Sequence, residues 1–277
     1  MRTISPEELE VVTSALYSRY GIDFRNYEPN SFRRRVSWAM NRLGVENVYE
    51  LWKLVLYEDG FVTKFINEIT VNLTELFRNP PLWQYIQTEI IEKRYAQQPK
   101  IKIWSAGCST GEEVYSILML LKEANSWHKT TLWATDINTE SLRKAMEGFY
   151  EYDLLLQYSQ NYKEFTRNSQ NKLAKYAQIS SKGLKFNEDL LQNTTFSQHN
   201  LVRNEVFEEF DIIFCRNVMI YFDDILKNKV LQKLYNALKD DGFLIIGYYD
   251  ILPPNQNLFQ VHKSEYKIYT KQLAAIT

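Results

Sequence analysis

The stretch IKIWSAGCSTGEE (residues 101–113) reads as a buried strand, a glycine-bearing loop and the start of a helix. Ile101, Ile103 and Trp104 give the strand its apolar character. Gly107 and Gly111 supply backbone freedom and leave no side chain in a ligand's way. Glu112 and Glu113 fall at the helix N-terminus, where carboxylates suit the helix dipole. The next strand, TTLWATD (130–136), ends in Asp136. Strand, glycine turn, helix, strand and acid make the first half of a doubly wound nucleotide fold, in which such an acid hydrogen-bonds ribose hydroxyls.

The glycine spacing narrows the ligand. Gly107-x-x-x-Gly111 lacks the second close glycine of the dinucleotide fingerprint, and no Gly-Lys-Ser/Thr follows to cradle phosphates. Glu113 and Asp136 would repel phosphates and welcome a cation. A nucleoside with a positive charge and no phosphate fits these residues, and S-adenosylmethionine is the common one.

Bulk properties are those of a soluble globular protein. Of 277 residues, 45% are hydrophobic and 24% charged, as in a globular protein. A net charge of −1 argues against nucleic acid as the partner. No apolar run reaches membrane-span length and the N-terminus has no signal-peptide core, so no membrane insertion is expected. Two cysteines, Cys108 and Cys215, make no disulfide framework, which suggests a reducing cytoplasm. His128, His199 and His262 lie too far apart for metal spacing, so no metal site is expected.

Upstream, Ser5-Pro6-Glu7-Glu8 is a capping box that opens a helix closed by Gly21. A second helix, from Asn30 or Ser31 to Gly44, buries Phe32, Val36, Ala39, Met40 and Leu43 and carries Arg33, Arg34, Arg35 and Arg42. Further helices at 47–58 and 61–69 complete an all-helical unit over residues 1–70 with one basic face, either solvated or a dock for an acidic partner. Asn72, Thr74 and Arg78 then lie in a turn that suits a ligand cap between this unit and the sheet, before a helix over 80–97 begins at Asn79-Pro80-Pro81.

Downstream, helices are expected at 112–124 and 138–148. Residues 150–199 are polar, with short alternating pieces near 184–187, and read as a small antiparallel insertion whose end returns as a strand. FDIIFC (210–215) is a strand buried on both faces, which places Arg216 and Asn217 at its carboxyl end, the ligand-binding edge of open α/β sheets. A helix over 224–239, a turn at Asp240-Asp241-Gly242, a strand over 243–247 and a last strand over 265–270 imply an antiparallel terminal edge.

NLTELFR (72–78), WSAGCSTGEE (104–113), ATDI (134–137), HNL (199–201) and FCRNVMIYF (214–222) together resemble the chemoreceptor methyltransferases, CheR, in order and spacing along nearly the whole chain. The resemblance implies a doubly wound α/β methyltransferase fold with a mostly parallel seven-stranded sheet, its antiparallel edge at the terminus. It implies an N-terminal helical domain (1–70), a cofactor-binding domain (71–277) and, within it, a small β insertion (150–199). It also implies a cytoplasmic enzyme, monomeric, that binds S-adenosylmethionine, releases S-adenosylhomocysteine and methylates glutamate side chains on the cytoplasmic helices of chemoreceptors. By position it implies cofactor contacts at Asn72, Thr74, Arg78, Ala106, Gly107, Glu113, Asp136, Asn200, Leu201, Arg216 and Asn217. Arg78 and Tyr221 would shape the catalytic centre, and Arg33, Arg34, Arg35 and Arg42 would dock the receptor. Where the family has Gly-His-Ser-Glu, this chain has Gly247-Tyr248-Tyr249-Asp250, with Asp250 able to replace the acid.

The residues suit that chemistry. A carboxylate is already anionic at neutral pH and needs no general base, which agrees with the lack of histidine or cysteine pairs. Charge is neutralised as it attacks a sulfonium, so a dry, aligned approach is the main demand. A methyltransferase for another carboxylate or a small molecule, or a binding module without turnover, would share the cofactor residues; the basic second helix favours a protein substrate.

Overall fold

The computed structural model describes residues 3–70, 72, 74–168 and 172–273; Leu73 of the NLTELFR motif lies outside them. Four helices come first: α1 (Pro6–Tyr20), α2 (Pro29–Arg42), α3 (Val48–Tyr57) and α4 (Phe61–Ile69). The capping box forms as the sequence requires, and Gly21 closes α1 in the left-handed conformation at φ 64°. Leu16, Val36, Ala39, Leu51, Val55 and Phe65 pack into a core of their own.

The chain then enters a sheet of order β6-β2-β1-β7-β8-β10-β9. β1 (Ile101–Ala106) pairs in parallel with β2 (Thr130–Asp136) and β7 (Phe210–Cys215). β6 (Thr194–Gln198) extends β2, and β8 (Leu238–Ile246) extends β7, both in parallel. β10 (Ile268–Lys271) inserts antiparallel between β8 and β9 (Phe259–Lys263). α6 (Glu112–Glu123), α7 (Thr139–Glu147) and α9 (Asp224–Ala237) cover the sheet. Strand order reverses at β1, so the loops after β1, β2 and β7 converge on one edge. No helix among the described residues is long and apolar enough to cross a membrane.

Four local expectations are corrected. The helix expected over 80–97 is a short α5 (Pro80–Tyr85) that continues as a π-helix over Ile86–Arg94. The wider winding carries Ile86, Ile91, Ile90 and Tyr95, at spacings of four and five, onto the core side. The polar insertion forms the three-stranded sheet β3 (Phe149–Glu151), β5 (Gly183–Phe186), β4 (Ala177–Ser180), but it also holds α8 (Leu155–Thr166). That helix buries Tyr158, Tyr162 and Phe165, a stripe at helical spacing that is aromatic and so escapes a search for aliphatic runs. The Asp240-Asp241-Gly242 turn is absent, because β8 runs through it with a register shift opposite Phe210–Ile212. A Cβ on Gly242 would come within 2.9 Å of the Asp211 carbonyl oxygen, so glycine serves the strand there. The last strand starts later, at Ile268, and β9 was not anticipated: Gln260, Val261 and His262 are exposed on this edge strand and leave no buried alternation to read.

Candidate functional site

A cleft of about 1150 Å³, counting its solvent-open mouth, lies over the carboxyl edge of β1, β2 and β7. The helical unit roofs it with Phe24, Tyr27, Phe32, Arg35, Ile69 and Thr70. The roof is stitched down at two places. Glu28 N–H donates to the Tyr221 carbonyl (3.0 Å), and Asp223 N–H donates to the Asn26 carbonyl (2.9 Å), with Tyr27 against Phe222 between them. On the other side Asn138, the N-cap of α7, donates from Nδ2 to Thr70 Oγ1 at 2.6 Å.

Most of the residues singled out in the sequence converge here. Asn72, Thr74, Arg78, Gly107, Glu113, Asp136, Asn200, Leu201, Arg216, Asn217 and Tyr221 all line the cleft. Ala106 does not: it is enclosed in β1, one residue behind the loop. The four arginines of α2 separate. Arg34 and Arg42 are exposed, and Arg42 Nε pairs with Glu68 at 3.0 Å. Arg33 Nε donates to the Ile4 carbonyl at 2.8 Å. Arg35 turns into the cleft, its guanidinium 4.2 Å from the centre of the Tyr221 ring and donating to the Ile69 carbonyl at 3.3 Å.

The two acids differ in their surroundings. Asp136 Oδ2 accepts from Ser109 N–H and Oδ1 from Asn138 N–H, each at 2.8 Å. These bonds fix the carboxylate, and each oxygen keeps a lone pair for a further donor. Burial raises its pKa against the pull of those N–H groups. Glu113 instead accepts from Ser105 Oγ at 2.7 Å and faces Arg216 Nη1 at 3.3 Å. Its charge is therefore held by Arg216 rather than offered freely to a cation; burial still raises its pKa and lowers that of Arg216. Arg216 also donates to the Arg78 carbonyl at 3.1 Å, and Arg78 donates from Nη1 to Asn217 Oδ1 at 3.2 Å. These bonds tie the segment before β1 to the loop after β7. Asn79, expected as a side-chain cap for α5, occupies the N-cap position without a side-chain bond, at φ 64°.

Two further cleft residues stand outside the cofactor contacts expected from the sequence. His199 packs edge-on to Trp104, and burial lowers its pKa. Tyr27 comes from the α1–α2 connection, far away in sequence, and burial pushes its phenol up.

S-adenosylmethionine fits this donor set. The Asp136 carboxylate is held in place and keeps lone pairs for hydroxyl donors such as those of a ribose. Gly107 leaves the floor clear, where a Cβ would sit 2.5 Å from Val218 Cγ2. Leu201, Val202, Val218 and Phe222 give the cleft apolar wall for a base.

Comparison with known proteins gives the same reading. The family description "CheR methyltransferase, SAM binding domain" matches residues 72–268, and "CheR methyltransferase, all-alpha domain" matches residues 7–70. A protein of Pseudomonas putida named Cher3 is 34% identical over 240 residues, 87% of each chain. The chemotaxis protein methyltransferase of Borreliella burgdorferi is 30% identical over 278 residues, 95% of each chain. That of Escherichia coli is 29% identical over 252 residues, 88% of this chain and 84% of its own. The chain thus belongs to the CheR methyltransferases, and its cleft is floored by the part that matches their S-adenosylmethionine-binding domain and roofed by the part that matches their all-alpha domain.

Proposed function

We propose that this protein methylates glutamate side-chain carboxylates of chemoreceptors. One observation carries the choice of acceptor. Arg35 and Arg78 line the cleft, and among the described residues neither makes an ion pair. Arg78 is bonded to a neutral amide oxygen, and Arg35 lies on an aromatic face. Guanidinium groups in a partly desolvated cleft, without a carboxylate of their own, suit an anionic guest.

When bound, S-adenosylmethionine supplies an electrophilic methyl group on a cationic sulfur. Asp136 holds the ribose end, with Asn200 and Leu201 beside it. Asn72, Thr74, Glu113, Arg216 and Asn217 form the remainder of the cofactor wall. Arg78 and Arg35 orient the incoming carboxylate, and Tyr221 lines its path. The roof of α2 and α4 keeps water out, which favours a step in which opposite charges are neutralised. No side chain has to take a proton, since the acceptor arrives ionised. Arg34 and Arg42, exposed on α2, face the acidic flank of the receptor helix. The protein works as a monomer, its helical unit serving as roof and dock.

The test is incubation with methyl-labelled cofactor and receptor-containing membranes. Label on the receptor that is released by mild alkali, as a carboxyl ester must be, is expected. Label that resists alkali, or lies on another protein, would refute the reading.

A further inference from the structure

The loop after β8 leaves one feature unused by the chemistry above. Tyr248 and Tyr249 are 67% and 68% exposed, their rings edge-to-face at 5.2 Å, and Ile251 beside them is 68% exposed. Large apolar side chains gathered on a surface mark contact sites more often than chance. This group is joined to the cleft through Asn217, which lines it. Gly247 is packed on Asn217, where a Cβ would lie 2.6 Å from the Asn217 nitrogen. Asp250, fully buried, accepts from the N–H groups of Asn217 (2.6 Å) and Gly247 (2.8 Å). Ile220, three residues on from Asn217 in the loop after β7, is 36% exposed. The tyrosines thus stand between two anchors on the segment that holds Asn217 and Tyr221.

The mounting is firm on the far side as well. Leu252 packs on the core under α9, Pro253 is buried, and Gln256 N–H donates to the Pro253 carbonyl at 3.2 Å. Little further ordering is needed to use these rings in binding, which favours affinity. From Gly247 to Leu258 the only charged residue is Asp250, which is sealed inside.

We propose that Ile220, Tyr248, Tyr249 and Ile251 form a ledge that seats the apolar flank of an acidic amphipathic helix carrying the acceptor glutamate. The inference rests on the receptor reading above and specifies its contact. An acceptor carboxylate that enters the cleft brings its main chain across the mouth. α2, whose Arg35 lines the cleft, also carries exposed Arg34 and Arg42, the latter paired with Glu68; the ledge, on the loops after β7 and β8, is the uncharged counterpart. A helix presents different side chains to its two flanks. Carboxylates then face α2 and aliphatic residues face the ledge. Tyrosine supplies large contact area at low entropic cost, as binding surfaces require.

The experiment measures methyl transfer from labelled cofactor to the purified cytoplasmic fragment of a chemoreceptor, with S-adenosylhomocysteine affinity read separately by calorimetry. The double variant Tyr248→Ser/Tyr249→Ser is expected to lose about tenfold or more in kcat/KM, chiefly through KM, with product affinity within about twofold of the parent. Tyr248→Phe/Tyr249→Phe keeps the apolar faces and retains most of the activity. At high salt the serine defect persists, whereas the defect of Arg34→Ala/Arg42→Ala shrinks, since screening acts on exposed charges. A serine variant within about twofold of the parent, while the parent labels the fragment, overturns the ledge alone. A parent that labels no receptor fragment overturns the receptor reading and the ledge with it.

Discussion

Arg216 Nη1 lies 3.3 Å from Glu113 Oε2, with side chains 6% and 11% exposed, so the loop after β7 is tied to the first turn of α6 by a buried ion pair. Glu113 is further held by Ser105 of β1. The pair joins three elements at the cleft floor. Glu113→Gln leaves a buried guanidinium without its counter-charge, at a cost of about 3–5 kcal/mol. Urea unfolding should show this as a lower midpoint, and calorimetry should show weaker S-adenosylhomocysteine binding. A second substitution, Arg216→Met, should restore part of the stability but not the binding. A single variant that loses less than about 1 kcal/mol would remove the pair from this role.

If Asp136 holds the ribose as proposed, it should set the pH response of cofactor binding. Burial raises its pKa above the ordinary 3.8, and the N–H groups of Asn138 and Ser109 oppose the rise without cancelling it. A protonated carboxyl group offers less acceptor capacity to ribose hydroxyls. Affinity for S-adenosylhomocysteine should therefore be full near neutrality and fall as pH drops toward that raised value. Asp136→Asn should be weak throughout and lose this dependence. An acid-side profile unchanged by the substitution would contradict the assignment.

Asp250 is the acid that anchors the loop under Tyr248 and Tyr249. Burial raises its pKa above 3.8. As pH rises, the unfolded chain gives up this proton first, so the group's contribution to stability is greatest below 3.8 and declines through the raised folded value. Asp250→Asn should flatten that part of the stability–pH curve, measured by thermal unfolding. Asp250→Ala leaves the N–H groups of Asn217 and Gly247 without an acceptor, at about 1–3 kcal/mol each. It also frees Asn217 from its left-handed conformation at φ 60°.

Much of this site is legible in the sequence because its chemistry sits at strand ends and turns. There, residue type follows from local backbone and ligand demands: Gly107 and Gly111 at positive φ, Asp136 closing β2, Arg216 and Asn217 after β7. The roof is less legible. Tyr27 and Phe24 come from the connection between α1 and α2, and only the packing of two separate cores brings them over the sheet. The divergence of the α2 arginines has the same origin. Arg35 and Arg42 are seven residues apart on one helix and both meet the last turn of α4, yet Arg35 bonds the Ile69 carbonyl and stacks on Tyr221 of the sheet domain, whereas Arg42 pairs with Glu68. Periodicity identifies the face and leaves its neighbours undetermined.

Gly111 tests the loop itself. Its φ is 95°, and a Cβ there would lie 2.9 Å from Ala145 Cα and 2.7 Å from Ala145 Cβ. Backbone atoms of α7 cannot step aside as a flexible side chain can. Gly111→Ala combines left-handed strain of about 1–2 kcal/mol with overpacking of about 1–3 kcal/mol. A loss of about 2–5 kcal/mol in unfolding free energy is expected. Gly44→Ala, at φ 70° with no atom within 4 Å, should show the strain alone.

Arg35 and Tyr221 link the roof to the wall of the cleft, where the acceptor carboxylate is proposed to be oriented. A guanidinium 4.2 Å above an aromatic ring in a partly desolvated place contributes about 0.5–2 kcal/mol, and the planar fork cannot be replaced by an ammonium without losing that stacking. If Arg35 orients the acceptor, Arg35→Lys should lower kcat/KM for the receptor nearly as much as Arg35→Ala, by about 10- to 30-fold. Tyr221→Phe keeps the ring under Arg35, so its loss isolates the hydroxyl. Double-variant analysis of Arg35→Ala with Tyr221→Ala should give a combined loss smaller than the product of the single losses, because each substitution already removes the stack. Strictly multiplicative losses would mean that the two residues act independently, and that α2 closes the cleft without taking part in orientation.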